Sequence, residues 1–462
     1  MDAQAASKTH GLTQRIAAHA AAAATTALAP DVVTKAKHHV LDTIAAMVSG
    51  AALEPGKVAR DYVASLGGRA EAFVVGATFR TNAVNAALAN AMAAHADETD
   101  DSHPGSITHP GCAVVPAALA MAEHAGSDGV AFLRAVVLGY DICARTGMML
   151  GGGHFLSHKG FDTHAFGGCL GAAAAAAALV IRGPARMAHA LSYAAQQAAG
   201  LATLFRDRGH VEKAFVFAGM PARNGVAAAT MVEAGMTGVD NVFDGEPSFL
   251  SAFGVAPDAA ASFDGLGRTF EITHTNIKRW SVGSPVQAVL DSLEALISEH
   301  RVRAADVSSV AVHLPSEGAR VVNDRQMPSV NVQHLTALML VDGTIGFLSS
   351  HDAARMTDPA VLDIRRKVTL IPNAELSRAE PSRQAIVELA LSDGRQLRHH
   401  TRAVRGTTTN PMAQGEVAAK ALDLMAPLLG QARAQQVIDT VWELERLASL
   451  STLTELLQAR TG

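Results

Sequence analysis

The sequence predicts a mainly α-helical protein with a smaller α+β domain. The helical domain is formed by the N- and C-terminal parts of the chain, and the α+β domain is inserted between them. Three observations carry this prediction. Residues 10 to about 260 read as helix after helix, separated by short polar or glycine-rich breaks. Near residue 265 the pattern shifts to short, alternating, β-branched runs, and from Gly415 it returns to helix. The chain has 462 residues, 49% of them hydrophobic and 18% charged, which excludes general disorder and allows a large core.

Taken in order, an Ala-rich amphipathic helix opens the chain, and Val32–Val48 carries apolar residues at helical spacing until Gly50 supplies a stop. Asn82–His95, Val114–His124, Gly129–Cys143, Gly168–Ile181, Arg186–Leu201 and Asn224–Ala234 follow, the last ending at Gly235. Arg268–Ile272, Val307–Leu314 and Lys367–Ile371 predict strands. Ile386–Leu391 and Gln396–His400 flank Ser392-Asp393-Gly394, a hairpin signal. Helical stretches at Pro285–Glu299 and Val332–Leu340 lie among the strands. Val417–Leu429, Ala432–Ala448 and Leu453–Gln458 close the chain. The expected domains are therefore 1–265 plus 404–462, all-helical, and 266–403, α+β.

Composition narrows the function. A net charge of −5 offers nothing for nucleic acid or an anionic membrane to grip. Three cysteines in so long a chain make no disulfide framework and fit a reducing, cytoplasmic setting. The N-terminus lacks the basic start and Leu-rich run of a signal peptide. The longest apolar run, Gly167 to Ile181, is shorter than the ~20 residues of a membrane span and reads as a buried helix. The 20 histidines direct attention to acid–base or metal chemistry.

Three polar clusters stand out in the helical part. The first is His95-Ala-Asp97-Glu-Thr99-Asp100-Asp101-Ser-His103, continuing to Thr108-His109-Pro110-Gly111. Carboxylates and imidazoles this dense perturb one another, as acid–base catalysis requires. Asp97 and Asp101, four apart, share a face if the segment is helical. The same residues also fit a polar interhelix loop, helix-cap acceptors or a divalent metal site, although no HExxH or EF-hand spacing is present. The second cluster places His154, His158 and His164 in a glycine-flanked stretch before the Ala-rich helix, near a helix N-terminus that favours anions. The third sets Lys213, with Asp207 and Glu212, at the head of AFVFAG. Further on, Lys278-Arg279-Trp280 could bind carboxylates or form an exposed turn, and His334 leads into a helix.

With these residues in place, the chain resembles the MmgE/PrpD family, which includes 2-methylcitrate dehydratase, cis-aconitate decarboxylase and iminodisuccinate epimerase. The resemblance runs over nearly the whole length, through HADETDD followed by THPG, GGCLGAAAAAAAL, EKAFVFAGMPARNGVAAA, GMTGVDNVFDG and IKRW. It implies a homodimer without metal or organic cofactor. It also implies a site between the domains that acts on small di- or tricarboxylic acids by proton abstraction beside a carboxylate. Asp97 falls at the family's first acidic site position, and Asp101 where many members have Thr. His109 is the HP-motif histidine and Lys213 the carboxylate-binding lysine, with a Lys-to-Gly spacing one residue longer than the family's. Lys278 matches the interdomain lysine, and His334 stands where the decarboxylase has Tyr. Phe161-Asp162-Thr163-His164 replaces the family's aromatic-His-Pro-Thr, so His164 is either the displaced histidine or a substitute for it, and Gln287 stands for a histidine.

The resemblance thus implies His109 as base, oriented by Asp97. Lys213 and Lys278 hold developing charge, and His103 or His164 donates a proton, with Asp101, Arg279 and His334 as further site residues. The expected activity is a cofactor-free, dehydratase-type lyase on a hydroxy di- or tricarboxylate, with an isomerase, epimerase or decarboxylase on a similar acid as the alternative. A metal-dependent hydrolase and a non-enzymatic helical interaction protein are the readings from other classes.

Overall fold

The computed structural model describes residues 11–459. The chain divides into two compact units. The first takes in residues up to 96, 100–275 and 424 onward; the second takes in Asp97–Thr99 and Asn276–Asp423. The helix expected at the N-terminus runs over Leu12–Ala23, and the residues preceding Gly11 lie outside those described.

The first unit is built around helix α5 (Thr163–Val180), with α1 (Pro30–Gly50), α2 (Ala83–Ala94), α3 (Pro110–Ala125), α4 (Gly129–Met149), α6 (Pro184–Gln197) and α7 (Met220–Glu233). Every residue from Thr163 to Leu179 is buried. Among the described residues α5 is the helix long and apolar enough to cross a membrane, but 94% of that stretch is buried within the protein, as befits a core helix. Alanine and glycine make this burial possible from all sides. A Cβ on Gly171 would lie 2.5 Å from the Gly139 carbonyl oxygen of α4, and one on Gly225 of α7 would lie 2.5 Å from the Ala173 amide nitrogen. Helix backbones in contact this close gain dispersion energy that larger residues would forbid.

The C-terminal helix Gln431–Trp442 and the turns after it belong to this unit. Lys37 Nζ donates to the Trp442 carbonyl (3.0 Å) and to Glu445 (2.9 Å), and Gly129 N to the Leu447 carbonyl (2.9 Å). A short antiparallel ribbon, β1 (Ala72–Phe73) and β2 (Arg80–Thr81), interrupts a region read as helix throughout.

The second unit carries a four-stranded sheet: β3 (Val307–Pro315), β4 (Val368–Asn373), β5 (Ala385–Leu391) and β6 (Gln396–Thr401). Its order is β4-β3-β5-β6, with β3–β4 parallel and the other pairs antiparallel. Val310 faces Val368 on one side and Leu389 on the other. Alternation puts Val310, Val312 and Leu314 of β3 and Val387 and Leu389 of β5 into one core. The helices α8 (Gln287–His300) and α9 (Val332–Asp342) contribute Val289, Leu293, Leu335 and Leu338 to it. The β5–β6 turn uses the Asp-Gly signal: Asp393 Oδ1 accepts from Arg395 N (3.0 Å), and Gly394 takes φ 90°.

The strand expected at Arg268–Ile272 does not form, and a short 3-10 turn covers Glu271–His274 instead. Side chains have claimed the backbone groups a strand would pair. Asp141 accepts from Glu271 N (2.6 Å), and Arg145 donates to the Thr269 carbonyl (2.9 Å).

Candidate active site

Two loops and one helix start of the first unit bring His95, His109, His164 and His210 together. His95 ends α2 as its C-cap, His109 is the N-cap of α3, and His164 lies in the first turn of α5. His210 takes a left-handed φ of 59° and caps the turn Val211–Ala214. Ring centroids lie 5.2 Å apart for His95–His109, 5.3 Å for His95–His210 and 5.0 Å for His109–His164.

Two buried carboxylates organise the rings. Asp100 Oδ2 lies 2.9 Å from His95 Nδ1 and 3.1 Å from His109 Nδ1. Asp162, the N-cap of α5, accepts at Oδ1 from both the backbone N–H and Nδ1 of His164, each at 2.9 Å. Burial pushes the Asp162 carboxyl up, but the His164 charge and hydrogen bonds and the Ala165 amide outweigh it and hold the group below the usual carboxylate range. A carboxylate on Nδ1 fixes the proton there and turns Nε2 outward as the working nitrogen. His95, Asp100 and His109 also offer donor atoms within 4.8 Å of one another, a set of the kind that binds zinc-class cations. Asp100 Oδ2 is hydrogen-bonded to His95 Nδ1 and stands at ion-pair distance from His109 Nδ1.

The Lys213 segment leads into an irregular helical turn. A π-helical turn, Phe215–Gly219, joins Val211–Ala214 to α7. Such a turn takes one residue more than an α turn, so an added residue is absorbed without disturbing the helix that follows. Phe217, inside it, stacks on His164 with centroids 3.7 Å apart and planes 12° apart. Lys213 Nζ lies 5.0 Å from the same ring. Asp207 Oδ2 receives the Glu212 and Lys213 amides (2.7 and 3.2 Å), so this carboxylate caps the turn.

Two expected site residues belong to other networks of the first unit. Asp101 is fully buried; it takes His39 Nδ1 (2.8 Å) and Tyr140 OH (2.6 Å) on Oδ2 and the Gly111 amide (3.0 Å) on Oδ1. It ties α1, α4 and the start of α3 together, which is a cap and a cross-brace. His103 turns Nδ1 to Ser106 Oγ (2.8 Å) and Nε2 to Glu271 Oε2 (3.3 Å). Glu271 also meets Arg145 (3.1 Å) and His274 (3.1 Å). Burial would raise its carboxyl, but His103, His274 and Arg145 prevail and hold it down to about 2. Asp141, bonded to the Glu271 amide, is pushed up to about 7 by burial.

In the second unit, Asp97 Oδ1 accepts from Thr99 N (2.9 Å) and Oδ2 lies 2.8 Å from His351 Nε2. The carboxylate beside His109 Nδ1 within the first unit is Asp100, and within the second unit Asp97 is paired with His351. Residues 97–101 are not helical, so Asp97 and Asp101 share no helix face. His351 Nδ1 faces the Phe347 carbonyl (2.9 Å). Burial lowers the His351 pKa, but the Asp97 contact outweighs it and the net shift is upward. Lys278 Nζ donates to the Glu98 carbonyl (2.6 Å) and Lys420 Nζ to the Thr99 carbonyl (2.9 Å).

The remaining expected binding residues of this unit have other surroundings. Arg279 is spent on Glu294 in a two-pronged pair (2.5 and 2.6 Å) and lies over Trp280 (4.5 Å). Gln287 bonds the Trp280 amide (3.0 Å) and carbonyl (2.8 Å) as a structural brace. His334 is wholly buried, and both its ring nitrogens lack a hydrogen-bond partner among the described residues.

Sequence reasoning missed the roles of Asp100, Asp162, His210, Phe217 and His351. An Asp two residues before a His at a helix start was the available signal for Asp162. Nothing in the sequence separates Asp100 from its acidic neighbours.

The profile of the MmgE/PrpD N-terminal domain matches residues 14–261, and that of the MmgE/PrpD C-terminal domain matches residues 280–444. Among curated relatives, the cis-aconitate decarboxylase-like protein oryM of Aspergillus oryzae is 25% identical, over 92% of this chain and 93% of its own. A cis-aconitate decarboxylase of Aspergillus terreus is 26% identical, over 97% of this chain and 96% of its own. These matches support a lyase-type activity on a small carboxylic acid.

Proposed function

The chain belongs to the MmgE/PrpD family, and on that premise we propose that it is a cofactor-free, dehydratase-type lyase acting on a small hydroxy di- or tricarboxylic acid. The observation that carries the reading is the shared Asp100 oxygen at His109 Nδ1 (3.1 Å), with a second carboxylate-backed histidine, His164, 5.0 Å away between ring centroids. A proton beside a carboxylate is weakly acidic, so its removal needs a placed base and a nearby cation for the enediolate-like charge. His109 takes the proton at Nε2, and Asp100 Oδ2, 3.1 Å from Nδ1, stabilises the imidazolium that forms. His164, hydrogen-bonded at Nδ1 to Asp162, delivers a proton to the departing hydroxyl. Lys213 supplies the positive charge.

The names of the relatives favour a second reading, decarboxylation of a similar acid, in which the same histidines return a proton to carbon after carbon dioxide leaves. A thermal-shift panel of di- and tricarboxylates, followed by proton NMR in D₂O and carbon dioxide detection on each hit, separates the two. Loss of water supports the first reading and release of carbon dioxide the second. Solvent deuterium entering an acid that loses neither would make the protein an isomerase. An absence of any stabilising acid would defeat all three, because a bound ligand raises the melting temperature.

A further inference from the structure

We propose that Phe217 is a positioning residue of the histidine cluster and that the π turn is the device that delivers it there. This rests on the reading of His109 and His164 as the acid–base groups. The Phe217 side chain is 3% exposed. It lies nearly parallel to His164, 3.7 Å between centroids and 12° between planes, and against His95 at 4.8 Å and 26°. The Lys213 ammonium is 5.0 Å from its centroid. Each imidazole is already bonded along one edge, His164 to Asp162 and His95 to Asp100. A bond at one ring atom fixes a point but leaves the ring able to swing about it. A flat surface against the face removes that freedom. The face of Phe is also the negative side of its quadrupole, so it attracts imidazolium and ammonium alike. An aliphatic side chain of similar volume supplies neither property.

The helix register shows what the π turn contributes. α7 is pinned to α5 where a Cβ on Gly225 would meet the Ala173 amide nitrogen. In that register an unbroken α-helix drawn back toward Lys213 would be one residue short. Everything before the turn would then be rotated by roughly 100°, the angle per residue at 3.6 residues per turn. The extra residue presents Phe217 and Lys213 to the histidines while the packed face of α7 stays in place.

The test compares Phe217→Leu and Phe217→Tyr with the unaltered full chain, using an acid that the unaltered protein turns over. Phe217→Leu should lower kcat by about ten- to a hundredfold with KM little changed, the cost of a misplaced catalytic group. Phe217→Tyr, which keeps the ring face, should recover most of the rate. Melting temperatures confirm that both variants are folded. A substrate-independent measurement accompanies the kinetics. In protein carrying ¹³C-labelled histidine, ring protons of His164 should be displaced by the Phe217 ring current, stay displaced in Phe217→Tyr and return to ordinary positions in Phe217→Leu. Unchanged kcat in Phe217→Leu overturns the positioning role, and histidine shifts indifferent to the substitution overturn the stacking itself. If the unaltered protein turns over no acid, the functional reading fails, and the ring-current shift alone decides whether Phe217 holds His164.

Discussion

His164 and His334 begin their helices in nearly the same way and are treated in opposite ways. Each donates its backbone N–H to the side-chain oxygen of a capping residue at 2.9 Å, Asp162 in one case and Asn331 in the other. For His164 the cap is a carboxylate two residues back, and the same oxygen also takes the ring Nδ1. For His334 the cap is a neutral amide three residues back, and it does not receive the ring. Burial, with the charges of Arg365 and Arg355, then drives the His334 pKa down to about 4, so that ring is neutral near pH 7. The comparison teaches that burial beside cationic side chains silences an imidazole. His164 instead has a carboxylate within its own turn, which hydrogen-bonds its Nδ1 in the interior.

The most direct way to break the favoured side is to remove its base. His109→Ala should lower the rate on a responding acid by roughly three orders of magnitude with the fold intact, the upper part of the ~10²–10⁴-fold range for general acid–base groups. Near-normal turnover in that variant would exclude His109 as the base.

Asp162→Asn sharpens the comparison, because it gives His164 the same kind of cap as His334. Asn is as good an N-cap as Asp, so the helix start survives while the charge is lost. Turnover should fall about a hundredfold if His164 is the proton donor, within the range cited for such groups. The wild-type carboxyl is held below its ordinary value, so it contributes stability above about pH 4 that is lost as pH falls through the folded value. The variant's acid melting curve should lack that component. A variant equal to the parent in both rate and acid stability would show that the Asp162–His164 pair carries neither function.

These pairs also mark what the sequence could disclose. Helices and sheet are largely legible because burial repeats with period 3.6 or 2, and the four strands from Val307 onward lie within a residue or two of their expected bounds. The strand at Arg268–Ile272 fails because Asp141 and Arg145, some 130 residues upstream, claim its backbone groups, and no local pattern encodes that. His109, His164 and Lys213 are legible as site candidates because their motifs are compact. Which of Asp97, Asp100 and Asp101 serves them is not, since three adjacent carboxylates diverge to His351, to His95 and His109, and to His39 and Tyr140. Direction of a side chain leaving a non-helical loop is a tertiary property.

The Ala/Gly surface that carries the His164 helix offers a stability test. Gly171→Val would force a side chain onto the Gly139 carbonyl oxygen, where even a Cβ would stand only 2.5 Å away. Overpacking of this kind costs about 1–3 kcal/mol or more, read as a lower midpoint in urea at an unchanged slope. A midpoint equal to the parent's would show that α4 and α5 separate freely.

Asp141 supplies a carboxylate without a histidine. Its Oδ1 accepts from the Glu271 amide while Oδ2 is buried without a hydrogen-bond partner among the described residues, and burial pushes the group up to about 7. The folded state therefore keeps its proton while the unfolded chain loses it. Stability should fall as pH rises from about 4 to about 7 on this group's account. Asp141→Asn should flatten that part of the stability profile, and a profile superimposable on the parent's would mean that Asp141 is ionised throughout.

The smallest effect is expected at His334. Both ring nitrogens are buried without hydrogen-bond partners among the described residues, and leaving polar atoms so costs free energy that an apolar group of similar shape does not. His334→Leu should therefore melt at or slightly above the parent at pH 7. The larger difference lies at lower pH. The folded pKa of about 4 is below the unfolded value of 6.5, so the unfolded chain binds the extra proton between them. The parent loses stability as pH falls from 6.5 toward 4, and the variant should not lose this part. Turnover should be unchanged, because a neutral, enclosed ring has no proton to give. A collapse of kcat/KM in a folded His334→Leu variant would instead restore His334 as a substrate contact, and would show that a ring lacking partners in the protein finds one in the acid.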